Sequence, residues 1–207
     1  MEQLIQLNSN AKLSEHFTLG EFTKSGSHPE VYNIPSHEAI ANLKRLCTWL
    51  EVLRKRYNEF YHTTPQFCRI YNSAEHNMGI YNPHSILGQA KRQSRAKNAD
   101  ITSSRISNST EQRSLPIIIN SGYRSPQLNK KIGGAPSSNH LTGCAADIRV
   151  SGMEQALRYA TILLDYADES KQDFDELLIE RNRYGAMWLH FAVRPKDNRR
   201  KIAFLTP

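Results

Sequence analysis

Hydrophobic positions predict two long helices in this chain. Between about Ser36 and Tyr57, apolar residues recur every three or four positions, at Ile40, Leu43, Leu46, Leu50 and Leu53. This spacing is typical of an amphipathic helix, and Ser36 is suited to be its N-cap. The second helix is predicted to begin with a capping box at Ser151 and Glu154. Its apolar residues are Ala156, Tyr159, Ala160, Leu163, Leu164 and Ala167.

Shorter patterns predict the strands and one more helix. Residues 116–120 form a β-branched run fit for a buried strand, and residues 174–180 and 188–193 are predicted to form a hairpin. Between them, a short helix should be capped by Ser125, begin with Pro126 and stop at the glycine pair 133–134. Successive strands with helices on one side favour an α+β fold with a mainly antiparallel sheet.

Residues 61–114 interrupt this pattern, because they show no sustained period and become rich in Ser, Asn, Arg and Lys. We interpret them as a partly disordered insertion in a single domain that spans residues 1–207. They hold seven basic and three acidic residues. Their histidines, His62, His76 and His84, are expected to face solvent and not to bind a metal.

The chain carries a formal net charge of +7, which favours an anionic partner such as nucleic acid, a membrane or a cell-wall polymer. No helix-turn-helix, zinc finger or RNA-binding signature is present, so nucleic acid is not the expected partner. No apolar stretch is long enough for a membrane span, and residues 1–8 do not resemble a signal peptide. We therefore expect synthesis in the cytoplasm, and we expect a monomer.

Candidate chemistry comes from His140, Asp147 and His190. Two imidazoles and a carboxylate are typical ligands of a catalytic zinc ion, whose fourth position is left to water. Gly143 can turn the chain so that Asp147 enters a strand beside His140. Any one of these residues alone is more typical of a turn or a core position, but together they predict a zinc site. The cysteines, Cys47, Cys68 and Cys144, lie too far apart in sequence to form a paired zinc knuckle.

Five segments carry a resemblance to a known family. The chain resembles the zinc D-Ala-D-Ala carboxypeptidase-like peptidases of bacteria and phages, whose fold is shared with the Hedgehog signalling domain. The segments are residues 13–22, Ser-Gly-Tyr-Arg-Ser at 121–125, Ser-Asn-His-Leu-Thr-Gly-Cys-Ala-Ala-Asp at 138–147, residues 174–180, and Trp-Leu-His-Phe at 188–191. The resemblance implies His140, Asp147 and His190 as zinc ligands and Arg124 and Ser138 as substrate contacts. It also implies a substrate with D-alanine, the peptidoglycan stem peptide.

The general base is the point where the chain departs from that family. Several members have an acidic residue three positions before the last histidine, where this chain has Met187. Glu180 closes the first strand of the predicted hairpin, so its carboxylate could return toward His190. Asp173 and Asp175 are the alternatives, although they begin that strand.

These features predict a zinc-dependent peptidase that hydrolyses D-alanine-containing stem peptides, either as a carboxypeptidase or as an endolysin-type endopeptidase. Such an enzyme would reach the cell wall on release from the cell or on a phage particle. The alternative is a non-catalytic, zinc-stabilised module that binds the wall or builds a phage particle. A basic nucleic-acid-binding protein is a third reading, which rests on charge alone.

Overall fold

The structure is a computed structural model that describes residues 8–63 and 114–206. The described residues up to 60 and from 115 onward form one compact unit. The predicted insertion lies almost wholly outside the described residues. The elements are α1 Leu19–Thr23, α2 His37–Thr63, β1 Ile119–Ser121, α3 Pro126–Lys131, a 3-10 helix Asn139–Thr142, β2 Ala145–Arg149, α4 Met153–Ser170, β3 Glu176–Arg181, β4 Met187–Ala192 and β5 Lys201–Leu205.

Five strands form one sheet in the order β1-β2-β4-β3-β5. The pairs β1/β2, β2/β4 and β3/β4 are antiparallel, whereas β5 runs parallel to β3. The α+β class is confirmed, but the sheet is mixed rather than mainly antiparallel. The reason is β5, which the sequence pattern did not predict. After β4 the chain passes to the far side of β3, where the N–H groups of Arg200 and Lys201 donate to the carbonyls of Phe174 and Asp175.

Helices α2 and α4 cover one face of the sheet. The ring of Trp49 from α2 packs 5.4 Å from Phe191 of β4, 6.4 Å from Phe174 and 4.8 Å from Tyr166 of α4. Trp49 is 1% exposed, and its three partners come from a strand, a loop and a helix. Since side chains alternate along a strand, the opposite face of β2, β3 and β4 is left for polar residues.

The helix boundaries test the sequence signals directly. The N–H of Ala39 donates to Ser36 Oγ at 3.1 Å, so the predicted cap of α2 is confirmed, although α2 continues to Thr63. Ser125 caps α3, which begins at Pro126 as predicted. The predicted capping box of α4 is wrong. Its N-cap is Gly152, so Ser151 lies one residue before the cap, and the N–H of Ser151 donates to Gln155 Oε1 at 2.7 Å instead of pairing with Glu154.

None of the helices in the described part of the chain has the length and apolar character needed to cross a membrane.

Candidate metal centre

The sheet register brings the candidate ligands together. Asp147 of β2 lies directly opposite His190 of β4, and His140 comes from the 3-10 helix just before β2. The chain reverses at Gly143, which has a left-handed φ of 71°. A Cβ at this position would lie 2.5 Å from the carbonyl oxygen of Ala39 in α2. Gly143 therefore supplies both the turn and a close approach to α2.

The three side chains form a tight, buried cluster. Asp147 Oδ1 lies 2.9 Å from His190 Nδ1 and 3.2 Å from His140 Nε2, and the two imidazole nitrogens are 3.3 Å apart. His140, Asp147 and His190 are 2%, 8% and 7% exposed. One ligand atom from each lies within 4.8 Å of the others, so the group could hold a metal ion. Two nitrogens and one oxygen are a donor set that suits zinc.

Electrostatics also favour a cation in this cluster. Burial by itself raises the pKa of Asp147, but His140 and His190 outweigh it and hold that pKa well below its ordinary value. Burial opposes charge on His190, yet the Asp147 and Glu176 carboxylates raise its pKa to about 9. A metal ion at the same place would supply positive charge beside the Asp147 carboxylate and would compete with protons for the imidazole nitrogens.

Neighbouring groups orient two of the three ligands, His140 and Asp147. His140 Nδ1 lies 2.6 Å from the carbonyl oxygen of Gly122, which can only accept, so Nε2 is left to face the cluster. Arg124 Nη2 donates to Asp147 Oδ2 at 2.5 Å, which leaves Oδ1 for the histidines. Such outer partners are typical of metal sites, where they fix the ring tautomer and the carboxylate orientation.

The ligands open into a cavity of about 670 Å³. Glu180 and Trp188, which lie opposite each other on β3 and β4, line it together with Arg124 and Ser138. Burial raises the pKa of Glu180, and the nearby His190 only partly opposes this. A half-buried carboxylate with a raised pKa, facing the same cavity as the ligands, has the properties of a general base.

The alternative bases occupy other environments. Asp175 is fully buried and paired with Arg199, and Asp173 is exposed and paired with Arg200. Neither is among the described residues that line the cavity. Of the three acidic candidates from the sequence, Glu180 alone faces the ligands.

The two predicted substrate contacts are placed at the cavity, although each also supports the ligands. Arg124 is engaged with Asp147 and, through Nε, with Ser121 Oγ at 2.9 Å. Ser138 is the N-cap of the 3-10 helix, and its Oγ accepts from the N–H of His140 at 3.4 Å. Their roles toward a substrate stay predictions.

Sequence reasoning missed Glu176, Asn139, Arg199 and Lys201, which also line the cavity. Glu176 could have been found, since strand alternation places it on the same face as Glu180. The other three come from a short helix and from the tail before and within β5, where no periodic pattern marks the inward-facing residues.

A buried His-Asp-His cluster that lines a cavity on the polar face of an α+β sheet is an arrangement typical of metal-dependent hydrolases. The family model described as Peptidase M15 matches residues 86–174. The match contains His140 and Asp147, and it begins inside the segment predicted to be an insertion. This match bears out the family resemblance seen in the sequence, over residues 86–174. A search of curated proteins found no match.

Proposed function

We propose that this protein is a zinc-dependent peptidase that hydrolyses D-alanine-containing peptidoglycan stem peptides. The observation that carries the proposal is the convergence of His140, Asp147 and His190 in one buried cluster that faces the same cavity as Glu180. The Peptidase M15 match supports a peptide substrate. The D-alanine specificity rests on the family resemblance.

In the proposed reaction, His140 Nε2, Asp147 Oδ1 and His190 Nδ1 would hold a zinc ion. When bound there, the ion would lower the pKa of a water molecule and polarise the scissile carbonyl. Glu180 accepts the proton from the attacking water and passes it to the leaving amine. The raised pKa of Glu180 suits both steps, because the group must be ionised first and then act as an acid. Glu180 and the ligands line the same cavity, so a peptide bound in it would lie beside both.

Arg124 has two tasks in this proposal. Its Nε and one Nη nitrogen hold Ser121 and Asp147, so the other Nη is left for a substrate carboxylate or carbonyl. A planar guanidinium with several donors can serve both sides at once, which a lysine could not. Ser138 accepts from the N–H of His140, and its own hydroxyl proton remains available for the peptide.

The second candidate is a zinc-stabilised module without catalysis, which binds the cell wall or builds a phage particle. The observation in its favour is Met187, which stands where several relatives have an acidic general base. In this case zinc would stabilise the fold, and Glu180 would be an ordinary residue at the end of β3.

Incubation of the zinc-loaded protein with purified peptidoglycan and with synthetic stem peptides separates the two candidates. Mass spectrometry of the products would identify the cleaved bond, and peptides with a free or amidated C-terminal D-alanine would separate a carboxypeptidase from an endopeptidase. Glu180→Gln should retain one zinc per chain while hydrolysis falls about 10²- to 10⁴-fold. Glu154→Gln, on the exposed side of α4, is the matched control and should retain full activity. If the fully zinc-loaded wild type cleaves no fragment, the module is the correct function.

A further inference from the structure

Glu176 lies next to the ligand cluster without being part of it. On β3 it is paired with Ala192, two residues from His190, so it is the diagonal neighbour of His190 on the same face of the sheet. Glu176 Oε2 lies 3.5 Å from His190 Nε2, the ring nitrogen that points away from Asp147 and His140. Its side chain is only 15% exposed.

Other contacts fix the Glu176 carboxylate in this position. Asn139 Nδ2 donates to Oε2 at 3.0 Å, and the same amide donates to Asp175 Oδ2 at 2.7 Å. The other oxygen, Oε1, lies 3.1 Å from Arg199 Nη2 and 3.3 Å from Lys201 Nζ. The two carboxylate oxygens therefore have separate partners. Oε1 faces the side chains of Arg199 and Lys201, and Oε2 faces His190 and Asn139.

We propose that Glu176 is a positioning residue for the metal centre. By accepting from His190 Nε2, it keeps the proton of the neutral imidazole on that nitrogen and leaves Nδ1 for the metal. Through Asn139 it also ties the 3-10 helix that carries His140 to β3. This inference rests on the zinc-binding part of the proposed function and not on peptide hydrolysis.

The test measures zinc affinity of the folded protein by competition with a chelating dye. Glu176→Leu removes the acceptor and should weaken zinc binding about 10- to 100-fold. Glu176→Gln retains an oxygen that can accept from His190 Nε2, so its zinc affinity should fall less than that of Glu176→Leu. Asp173→Asn, three residues earlier and exposed, makes the same change in charge away from the cluster and should bind zinc as the wild type does.

Cobalt substitution gives a second measurement that a purely structural residue would not change. The visible spectrum of the Co²⁺-loaded protein depends on ligand geometry, so it should change in Glu176→Leu and be largely restored in Glu176→Gln. The inference is wrong if Glu176→Leu folds and binds zinc with wild-type affinity. It is also wrong if all loss of affinity follows a matching loss of stability in the metal-free protein. A wild type that binds zinc but cleaves no peptide would refute the proposed activity and leave this test intact.

Discussion

Asp175 should be a major source of stability in this fold. It is 0% exposed, and its carboxylate accepts from Arg199 Nε at 2.8 Å, from Arg199 Nη2 at 2.7 Å and from Asn139 Nδ2 at 2.7 Å. These contacts join the loop before β3 to the segment just before β5 and to the 3-10 helix. Asp175→Asn would keep one acceptor but place an amide donor against groups that are themselves donors.

The pKa of Asp175 gives the magnitude of this effect. Burial alone would raise it, but the hydrogen bonds from Arg199 and Asn139 lower it from 3.8 to about 2. Since one pKa unit corresponds to about 1.4 kcal/mol, the ionised carboxylate contributes about 2 kcal/mol to the free energy of unfolding at neutral pH. Mutational values for hydrogen bonds to charged groups, about 1.5–3 kcal/mol, agree with this figure.

The sign of the pH dependence follows from the lowered pKa. The stabilisation is fully present above the unfolded-state value near 4 and is lost as pH falls toward about 2. Urea unfolding of metal-free protein should therefore show Asp175→Asn about 2 kcal/mol less stable than wild type at pH 7. The difference should fall to about half that value at pH 3.

Asp173→Asn is the control, because Asp173 is exposed and pairs with Arg200 on the surface. Its effect should stay below about 1 kcal/mol at every pH. The reasoning about Asp175 fails if the two variants are equally stable at pH 7. It also fails if the deficit of Asp175→Asn is unchanged at pH 3.

Two further predictions concern the turn at Gly143 and the metal. Gly143→Ala should lower the melting temperature more than Gly133→Ala. Both glycines have a positive φ, but of the two only Gly143 would place its new Cβ against α2. Equal losses would mean that the turn at Gly143 relaxes to make room for the methyl group. Chelation should lower the melting temperature of the wild type. If zinc was present at a thousand times its dissociation constant, its removal lowers the free energy of unfolding by about 4 kcal/mol. His190→Ala should show no such response in differential scanning calorimetry, and a wild type insensitive to chelation would contradict a zinc site at this cluster.

Local signals in the sequence determined much of the scaffold. Three features depend on residues close together in the chain, so the local sequence pattern predicts them: the N-cap at Ser36, the start of α3 at Pro126 and the turn at Gly143. The periodicity of α2 and of the β3/β4 hairpin likewise reflects burial on one face. The set of candidate ligands was also visible, because its residue types are those that zinc prefers.

Tertiary structure determined the strand pairing, the burial and the long-range contacts of those residues. Strand β5 is stabilised by pairing with β3 and has no strong pattern of its own, so only the folded sheet shows that it is mixed. Glu180, Asp175 and Asp173 are similar carboxylates in sequence, yet burial and distant partners give them different environments. Likewise, the pairings of Arg124 with Asp147 and of Glu176 with His190 join residues on different elements. Their distances follow from the order and register of the strands, which a local pattern does not encode.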